Sequence, residues 1–340
     1  MKFIEHSNSV YKSNKKFISP KQKKIRRIIL ELSIFIIILT ILLGILSEVI
    51  QSNNLISSLR KSHRLSGYGK YKVAYAVSGS GDNLVLFESD IGETLLEWNP
   101  IVRESISGVR MLYYDRFGYG GSEKYKEKLS IETQVDILNN LVDNTGYDGK
   151  QILVSEGYGS LIHMEYLDKY KDKVGGVIFI NPTIFNYSGI NGLKKIENEL
   201  VSLYFRIISM LNIPKLLDKI SFLNNKFIDL YRELAISRNL DNYLSRMMSR
   251  DYYNTIHSES RIMNRYLSNV DLSKFGQYDL PVIVVESESN RNPEYENMLK
   301  SHFSNLEIIY FETTENFTYN NSEYLRNLIR NVNLRLMENN

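Results

Sequence analysis

The chain of 340 residues contains no cysteine and only five histidines. The absence of cysteine excludes disulfide bonds, thiolate catalysis and metal sites built on cysteine, and it leaves the redox compartment undecided. Every imidazole base must come from His6, His63, His163, His257 or His302. Histidine, aspartate and glutamate do not cluster at metal-ligand spacing, so the sequence predicts no metal site and no cofactor.

Basic residues are concentrated at the amino terminus. The net charge is only +3, yet the first 27 residues contain nine lysines and arginines and a single acid, Glu5. The remainder of the chain is therefore mildly acidic. This balance does not indicate a nucleic-acid partner.

An apolar run over residues 28–50 follows the basic cluster. About 20 apolar residues span a bilayer core, and the only charges in the run, Glu31 and Glu48, lie near its ends. A cleaved signal peptide is an alternative, but the run is long and no A-x-A-like cleavage site follows it. A buried soluble helix is another, although no polar face interrupts residues 32–46. We predict a single transmembrane helix, with residues 1–27 in the cytoplasm and the rest of the chain outside the cell membrane.

Predicted strands and helices alternate after a polar segment, residues 51–62, which we interpret as a short stalk. The predicted strands are rich in β-branched and other apolar residues, which is typical of a mostly parallel sheet covered on both faces. They are YKVAYAV (71–77), NLVLF (83–87), VRMLYY (109–114), QILV (151–154), VGGVIFI (174–180), PVIVV (281–285) and LEIIYF (306–311).

Residues 184–276 interrupt this alternation with helical spacing and no clear strand. We therefore divide the globular part into a core of residues 63–183 and 277–340 and a helical insertion of residues 184–276.

Four segments resemble the α/β-hydrolase family, in its lid-bearing type that includes proline iminopeptidases, haloperoxidase-like esterases and monoacylglycerol lipases. They are GYGKYKVAYAVSGSGDNLVLF at the first strands, YYDRFGYGGSE after VRMLYY, LVSEGYGSL (153–161) at the nucleophile elbow, and VGGVIFINPTIF before the insertion. The resemblance covers residues 63–337. It implies an α/β-hydrolase fold, an eight-stranded, mostly parallel sheet with helices on both faces, and a lid formed by the insertion.

The residues at the family's catalytic positions are not catalytic types here. Gly157 stands at the nucleophile, Asn290 at the orienting acid and Asn316 at the histidine base, while Glu88 and Ser89 replace the His-Gly pair beside the oxyanion hole. A glycine has no group to attack with and an asparagine has no titratable site. Glycine nevertheless suits the strained backbone at the centre of an elbow.

A shifted register does not restore a catalytic set. Ser155 and Ser160 lack the small neighbours that an elbow requires, since Leu153, Tyr158 and Ile162 stand at those places. Among the histidines, His163 is expected to be a packed or partly exposed helix residue, and His257 in the insertion is the candidate for a replacement base.

Two further groups of charged residues need an interpretation. We expect Asp115 and Arg116 to fix the turn that positions neighbouring loops. Glu286 and Glu288 lie near the acid position and are expected to be solvated loop acids. Glu88, if it points inward, places negative charge where an oxyanion would form.

Three functions remain open on the sequence. The first is a non-catalytic protein that binds a small apolar or peptide ligand, or a protein partner, at Glu88, Ser89, Gly157, Tyr158 and Asn316. The second is a serine-type hydrolase with an atypical site, and the third is a structural accessory subunit of a membrane complex.

Overall fold

The computed structural model describes residues 19–184, 200, 203–204, 206–209 and 240–338, apart from the side chains of residues 48, 49, 51 and 52. Most of the predicted cytoplasmic tail and the middle of the predicted insertion, including residues 210–239, lie outside this part of the chain.

The first element, α1 (Pro20–Arg60), is a single helix of 41 residues. Ser19 caps it: its hydroxyl accepts the backbone N–H of Gln22, whose side chain accepts the backbone N–H of Ser19. Proline at the first helical position suits a helix start, because its missing N–H would have no partner there. The segment Pro20–Ser47 is apolar and unburied, which makes it a candidate transmembrane span.

The segment predicted as a stalk is the carboxyl end of α1 rather than a separate linker. Helix continues without a break from the apolar segment to Arg60, and Leu59 is fully buried against the globular part. The Arg60 guanidinium pairs with Glu123 at 2.9 Å and donates to the carbonyl of Gly121. The side-chain amide of Asn242 donates to the hydroxyl of Ser58 at 2.9 Å. The helix therefore ends inside the fold.

Eight strands form one sheet in the order β1-β2-β4-β3-β5-β6-β7-β8. Strand β2 pairs antiparallel with β1 and β4, and every other neighbouring pair is parallel. The strands are β1 (Arg64–Tyr68), β2 (Tyr71–Gly79), β3 (Asn83–Glu88), β4 (Val109–Tyr114), β5 (Gln151–Glu156), β6 (Val174–Ile180), β7 (Tyr278–Ser287) and β8 (Phe303–Phe311). The predicted eight-stranded, mostly parallel sheet is confirmed.

Helices cover both faces of this sheet, as predicted. The longer described helices after α1, with two short ones, are α2 (Asn99–Val102), α3 (Ile131–Asn144), α4 (Gly159–Lys169), α5 (Leu240–Met247), α6 (Arg250–Asn269), α7 (Pro293–His302), α8 (Phe317–Asn320) and α9 (Ser322–Glu338). One apolar core lies between the sheet and α3 and α4, and a second lies between the other face and α2 and α9.

Helices α5 and α6 belong to the predicted insertion between β6 and β7. A third apolar cluster joins α5 and α6 to the end of α1, with Leu59, Tyr119, Tyr243, Met247 and Tyr252 among its members. The insertion is thus helical where the structure describes it, and its action as a lid stays a prediction.

Candidate functional site

The elbow at Gly157 has the expected backbone. Strand β5 ends at Glu156, Gly157 takes a φ of +48°, and α4 begins at Gly159. The N–H of Gly157 donates to the carbonyl of Ile180 on β6, and its own carbonyl accepts from the hydroxyl of Ser160 at 2.7 Å. A positive φ favours glycine, so this strand–turn–helix keeps the shape of a nucleophile elbow without a nucleophile.

The carboxylate of Asp90 lies directly over the elbow. Its Oδ1 atom accepts the backbone N–H of Tyr158 and that of Ile91, both at 2.8 Å. In α/β-hydrolases, the N–H after the nucleophile and an N–H from the loop after the third strand form the oxyanion hole. Tyr158 directly follows the elbow centre and Ile91 lies in the loop after β3, and a Cβ on Gly157 would collide with the Asp90 carboxylate. Asp90 therefore fills the space that a nucleophile and an oxyanion would share.

This placement corrects the expectation for Glu88. The acid whose carboxylate lies over the elbow is Asp90, two residues beyond Glu88, which is the last residue of β3. Glu88 itself is buried beneath it, where it accepts hydrogen bonds from Arg116 at 2.9 Å and from the hydroxyl of Tyr114.

Three further carboxylates form a cluster, and one of them contacts Asp90. The backbone N–H of Asp90 donates to Glu93 Oε2 at 2.8 Å, and Glu93, Glu97 and Glu156 each bring one carboxylate oxygen within 4.8 Å of the others. Burial, followed by the charges of Glu97, Glu156 and Asp90, raises the pKa of Glu93 well above its usual range. Burial also raises the pKa of Asp90.

Within the described part of the chain, these three glutamates are the group that could hold a metal ion. Oxygen ligands suit hard cations such as Mg²⁺ or Ca²⁺. A bound cation would reduce the repulsion among the three carboxylates. A proton retained on Glu93 would reduce it as well, which agrees with the direction in which its pKa is shifted. The absence of a metal site and of a cofactor stays a prediction from the sequence.

A buried ion-pair network fastens α6 above the site. Arg116 pairs with Glu88 at 2.9 Å and with Glu259 on α6 at 2.7 Å, and all three side chains are at most 5% exposed. Arg116 also donates to the carbonyls of Ser89 and Asp90, and the hydroxyl of Tyr119 donates to Glu259 at 2.7 Å. One guanidinium thus links the loop after β3 to the inserted helix.

Asp115 fixes the neighbouring turn, in line with the interpretation from the sequence. Its Oδ1 accepts the N–H of Leu95, and its Oδ2 accepts the N–H of Gly121 and the hydroxyl of Tyr243 on α5. The residue is completely buried. Asp115 and Arg116 therefore position loops and the inserted helices.

The predicted ligand-contacting residues are mostly occupied by internal contacts. Ser89 accepts the indole N–H of Trp98 at 2.8 Å, and the hydroxyl of Tyr158 accepts from Gln134 at 2.6 Å. The ring of Tyr158 also packs 5.2 Å from the Arg116 guanidinium. Glu88, Ser89, Gly157 and Tyr158 are all buried, whereas Asn316 is partly exposed.

The two asparagines at triad positions have different surroundings. Asn316 follows β8, takes a φ of +51° and directly precedes α8. Two residues later, the hydroxyl of Thr318 donates to Glu156 at 3.1 Å, so this loop reaches the end of β5. Asn290 is exposed after β7 and donates to Glu286 Oε1 at 2.7 Å.

Glu286 differs from the expectation of a solvated loop acid. It is completely buried, and it accepts hydrogen bonds from its neighbour Ser287, from Asn290 and from the hydroxyl of Tyr295 on α7. The reason is that β7 extends to Ser287, which keeps Glu286 within the sheet. Glu288 is exposed and pairs with Arg291 at 2.9 Å, as a solvated acid does.

The histidines are dispersed. His163 on α4 is completely buried without a hydrogen-bond partner among the described residues, and burial lowers its pKa to about 3. His257 lies on the outer face of α6, where it lines a cleft with Lys128 rather than the elbow. Its position is about 200° around the helix from Glu259, which points inward to Arg116. His63 contacts Tyr243 near the end of α1, and His302 ends α7.

Sequence reasoning missed the acids that define the site: Asp90, Glu93, Glu97, Glu156 and Glu259. The first three lie in ESDIGETLLEW, directly after a buried strand, where an acidic loop would face the sheet edge that carries the elbow. That signal was available. Glu259 was not identifiable, because its partner Arg116 is 143 residues away in the chain.

Comparison with solved structures assigns the fold. A protein from Pseudomonas aeruginosa assigned as an epoxide hydrolase superposes with a TM-score of 0.62 at 14% identity, over 81% of this chain and 96% of the other. The chain has the α/β-hydrolase fold. The enol-lactonase of Burkholderia xenovorans LB400 gives a TM-score of 0.55 at 12% identity, over 79% of this α/β-hydrolase-fold chain and 99% of the enol-lactonase.

Similarity to characterised sequences is partial. A proline iminopeptidase of Saccharolobus solfataricus is 25% identical over 179 residues, which are 50% of this chain and 58% of that protein. A proline iminopeptidase of Thermoplasma volcanium is 35% identical over 72 residues, 21% of this chain and 24% of its own length. The chain thus spans 58% of the first relative's length and 24% of the second's. No family model matches the chain.

Proposed function

We propose that this chain is a membrane-anchored α/β-hydrolase-like protein that does not hydrolyse substrates and acts by binding a partner outside the membrane. The observation that supports this proposal is the occupation of the oxyanion hole by Asp90. Both backbone donors, Tyr158 and Ile91, are already hydrogen-bonded to one carboxylate oxygen.

An oxyanion hole accelerates acyl transfer because its donors await the charge that develops in the transition state. A carboxylate held there removes that effect and repels the incoming oxyanion. The elbow residue Gly157 supplies no nucleophile and Asn316 supplies no base. Loss of one triad member typically costs about 10⁴-fold in rate, and the residual activity comes largely from the oxyanion hole.

Burial of the residues around the elbow at Gly157 favours a protein partner over a small ligand bound inside the fold. Four of the five predicted contact residues are buried, and Asn316 is the one with exposed surface. A partner that contacts the loop around Asn316 and the inserted helices needs no opening of the fold.

A serine-type hydrolase with an atypical site is the second candidate, because the similarity to proline iminopeptidases favours it. It would require a serine and a base such as His257 to approach each other. His257 lines the outer cleft, whereas Ser155 and Ser160 are completely buried beside the elbow.

One experiment tests the proposal against this candidate. The full chain in detergent is treated with a fluorophosphonate probe and assayed with a p-nitrophenyl ester and with proline p-nitroanilide. We expect no labelled serine and no hydrolysis above the rate without protein, both in the native chain and in His257→Ala. Serine labelling, or hydrolysis that His257→Ala abolishes, would contradict the proposal.

A further inference from the structure

A basic cleft lies on the outer face of α6, away from the elbow. It has a volume of about 450 Å³ and lies between α6 and the loop of residues 124–130. Among the described residues, the cations that line it are Lys124, Lys128, Arg206, Arg250, Arg261 and Arg265, and the one acid is Glu127. This concentration of positive charge contrasts with the mildly acidic remainder of the globular part.

The acids near the cleft do not neutralise it. Glu127 pairs with Lys70 at 3.3 Å and accepts from the hydroxyl of Tyr71, so it is engaged on the far side of the loop. Asp251 is shared between Lys124 and Arg246. In the part of the chain that the structure describes, four of the cations form no carboxylate pair. They are Lys128, Arg206, Arg261 and Arg265.

Helix α6 presents these cations because of its spacing. Arg250, Asn254, His257, Arg261 and Arg265 recur every three or four residues and line the cleft as one stripe. The opposite face is fixed inward by buried residues such as Tyr252 and Glu259. The network at Arg116 therefore also holds the stripe facing outward.

The basic cleft lies next to a second cleft that contains residues of α1 beyond the end of its apolar segment. A second cleft, of about 640 Å³, lies between the end of α1 and the same loop, and it is lined by Asn53, Ile56, Arg60, Lys126 and, in common with the basic cleft, Lys124. Asn53 is six residues beyond Ser47, the last residue of the apolar segment, which is about 9 Å along a helix. The second cleft, which is also lined by the acids Glu123 and Asp251, thus begins near the predicted level of lipid headgroups, and Lys124 connects it to the basic cleft.

We propose that this basic cleft binds the phosphate headgroups of anionic phospholipids in the leaflet from which α1 emerges. Guanidinium groups form paired hydrogen bonds to phosphate oxygens. Arg261 and Arg265 are exposed and pair with no carboxylate among the described residues. Basic residues beside a membrane helix are attracted to anionic lipid. The helix holds the cleft near the bilayer, so the headgroup is captured at a high effective concentration. This site is independent of the proposed loss of catalysis.

The absence of cysteine allows a direct test on the full chain. Ser258→Cys places a unique fluorescent label at an exposed residue lining the cleft. The labelled protein is reconstituted in phosphatidylcholine nanodiscs that contain a headgroup quencher and increasing fractions of phosphatidylglycerol. We expect quenching to rise with the anionic fraction. Arg261→Glu with Arg265→Glu should raise the fraction needed for half-maximal quenching at least about tenfold.

The matched control reverses the charge of two exposed arginines that lie outside the cleft. Arg330→Glu with Arg335→Glu, on α9, changes the net charge equally and should leave the response unaltered. The neutral pair Arg261→Gln with Arg265→Gln, checked for an unchanged melting curve, should show an intermediate loss. The proposal is overturned if quenching does not depend on the fraction of phosphatidylglycerol. It is also overturned if the charge reversals on α6 and on α9 reduce quenching equally. A label response to dissolved glycerol phosphate in discs without anionic lipid would assign the cleft to soluble phosphates and also overturn it.

Discussion

Two separate features exclude a side chain at Gly157. Its φ of +48° is unfavourable for any residue with a Cβ, and the Asp90 carboxylate occupies the place where that Cβ would lie. Gly146 shares the first feature but not the second, since its φ is +67° and a Cβ there would meet nothing within 4 Å. Comparing substitutions at Gly157 and Gly146 therefore separates the cost of backbone strain from the cost of the collision with Asp90.

Gly157→Ala should accordingly lower the free energy of unfolding more than Gly146→Ala does. Backbone strain costs about 1–2 kcal/mol at either position, and the collision with Asp90 adds about 1–3 kcal/mol at Gly157. Thermal or denaturant unfolding measures both variants. Combining Gly157→Ala with Asp90→Gly should recover much of the additional loss, because the two residues share one space. Equal losses for both alanine variants would show that Asp90 does not fill the elbow.

Burial of His163 gives the protein a sensitivity to acid. Its pKa of about 3 lies below the ordinary value of 6.5, which it regains on unfolding. Below pH 6.5 the unfolded chain binds a proton that the folded chain does not, so stability falls as the pH drops from 6.5 towards 3. At pH 5 the loss is about 2 kcal/mol relative to pH 8.

His163→Leu removes this contribution. Between pH 8 and pH 5, the native chain should lose about 2 kcal/mol more unfolding free energy than His163→Leu does. Unfolding curves at several pH values provide the measurement. A difference that stays constant with pH would place a protonated or solvated imidazole at position 163.

At the level of residues, the sequence identified the non-catalytic residue types at the triad positions but not the acids that lie around the elbow. Gly157 was identified because a tight turn between a strand and a helix leaves a local pattern. The position of Asp90 depends on the path of a loop, and the burial of Glu286 depends on how far β7 extends. The acidic composition of that loop is visible in the sequence, but the path of the loop and the length of β7 have no local signature.

Among the helices, α6 depends on one buried ion-pair network for its attachment near the site. Arg116 joins Glu88 and Glu259 where both acids are 1% exposed. Removing one member of a buried pair leaves the other charge desolvated and incompletely paired, which is far more costly than losing a surface pair.

Glu259→Ala should lower stability by about 3 kcal/mol and increase amide hydrogen exchange along α6. Asp136→Ala is a suitable control, because the pair of Lys169 and Asp136 has a comparable 2.6 Å distance with both side chains about half exposed. That change should cost less than about 1 kcal/mol and leave exchange in α6 unaltered. Similar effects of both substitutions would mean that α6 is held by its apolar contacts instead.

The secondary-structure elements were largely predictable, because each strand is a short apolar run bounded by turn residues. The polar segment after residue 50 was harder to interpret. Its composition resembles a linker, yet Leu59 and Arg60 attach it to the fold through contacts with residues that lie 36 or more positions away. Helix that is stabilised by tertiary contacts cannot be recognised from composition alone.

For the whole molecule, the orientation across the membrane is a prediction from charge asymmetry alone. Basic residues before the span favour a cytoplasmic amino terminus. A chain with one epitope tag at each end can be treated with protease on intact cells. The carboxyl-terminal tag should be lost and the amino-terminal tag retained. Protection of the carboxyl-terminal tag until the cells are permeabilised would reverse the orientation and move the globular part to the cytoplasm.

The unbroken course of α1 has a mechanical consequence. A helix of 41 residues is about 60 Å long, and here it passes from the apolar segment into the core without a flexible joint. If the apolar segment Pro20–Ser47 spans the membrane as predicted, a tilt or rotation of that segment turns the globular part by the same angle. A partner bound to the apolar segment inside the membrane would then move the surface around Asn316. A partner bound to the globular part would exert torque on the apolar segment.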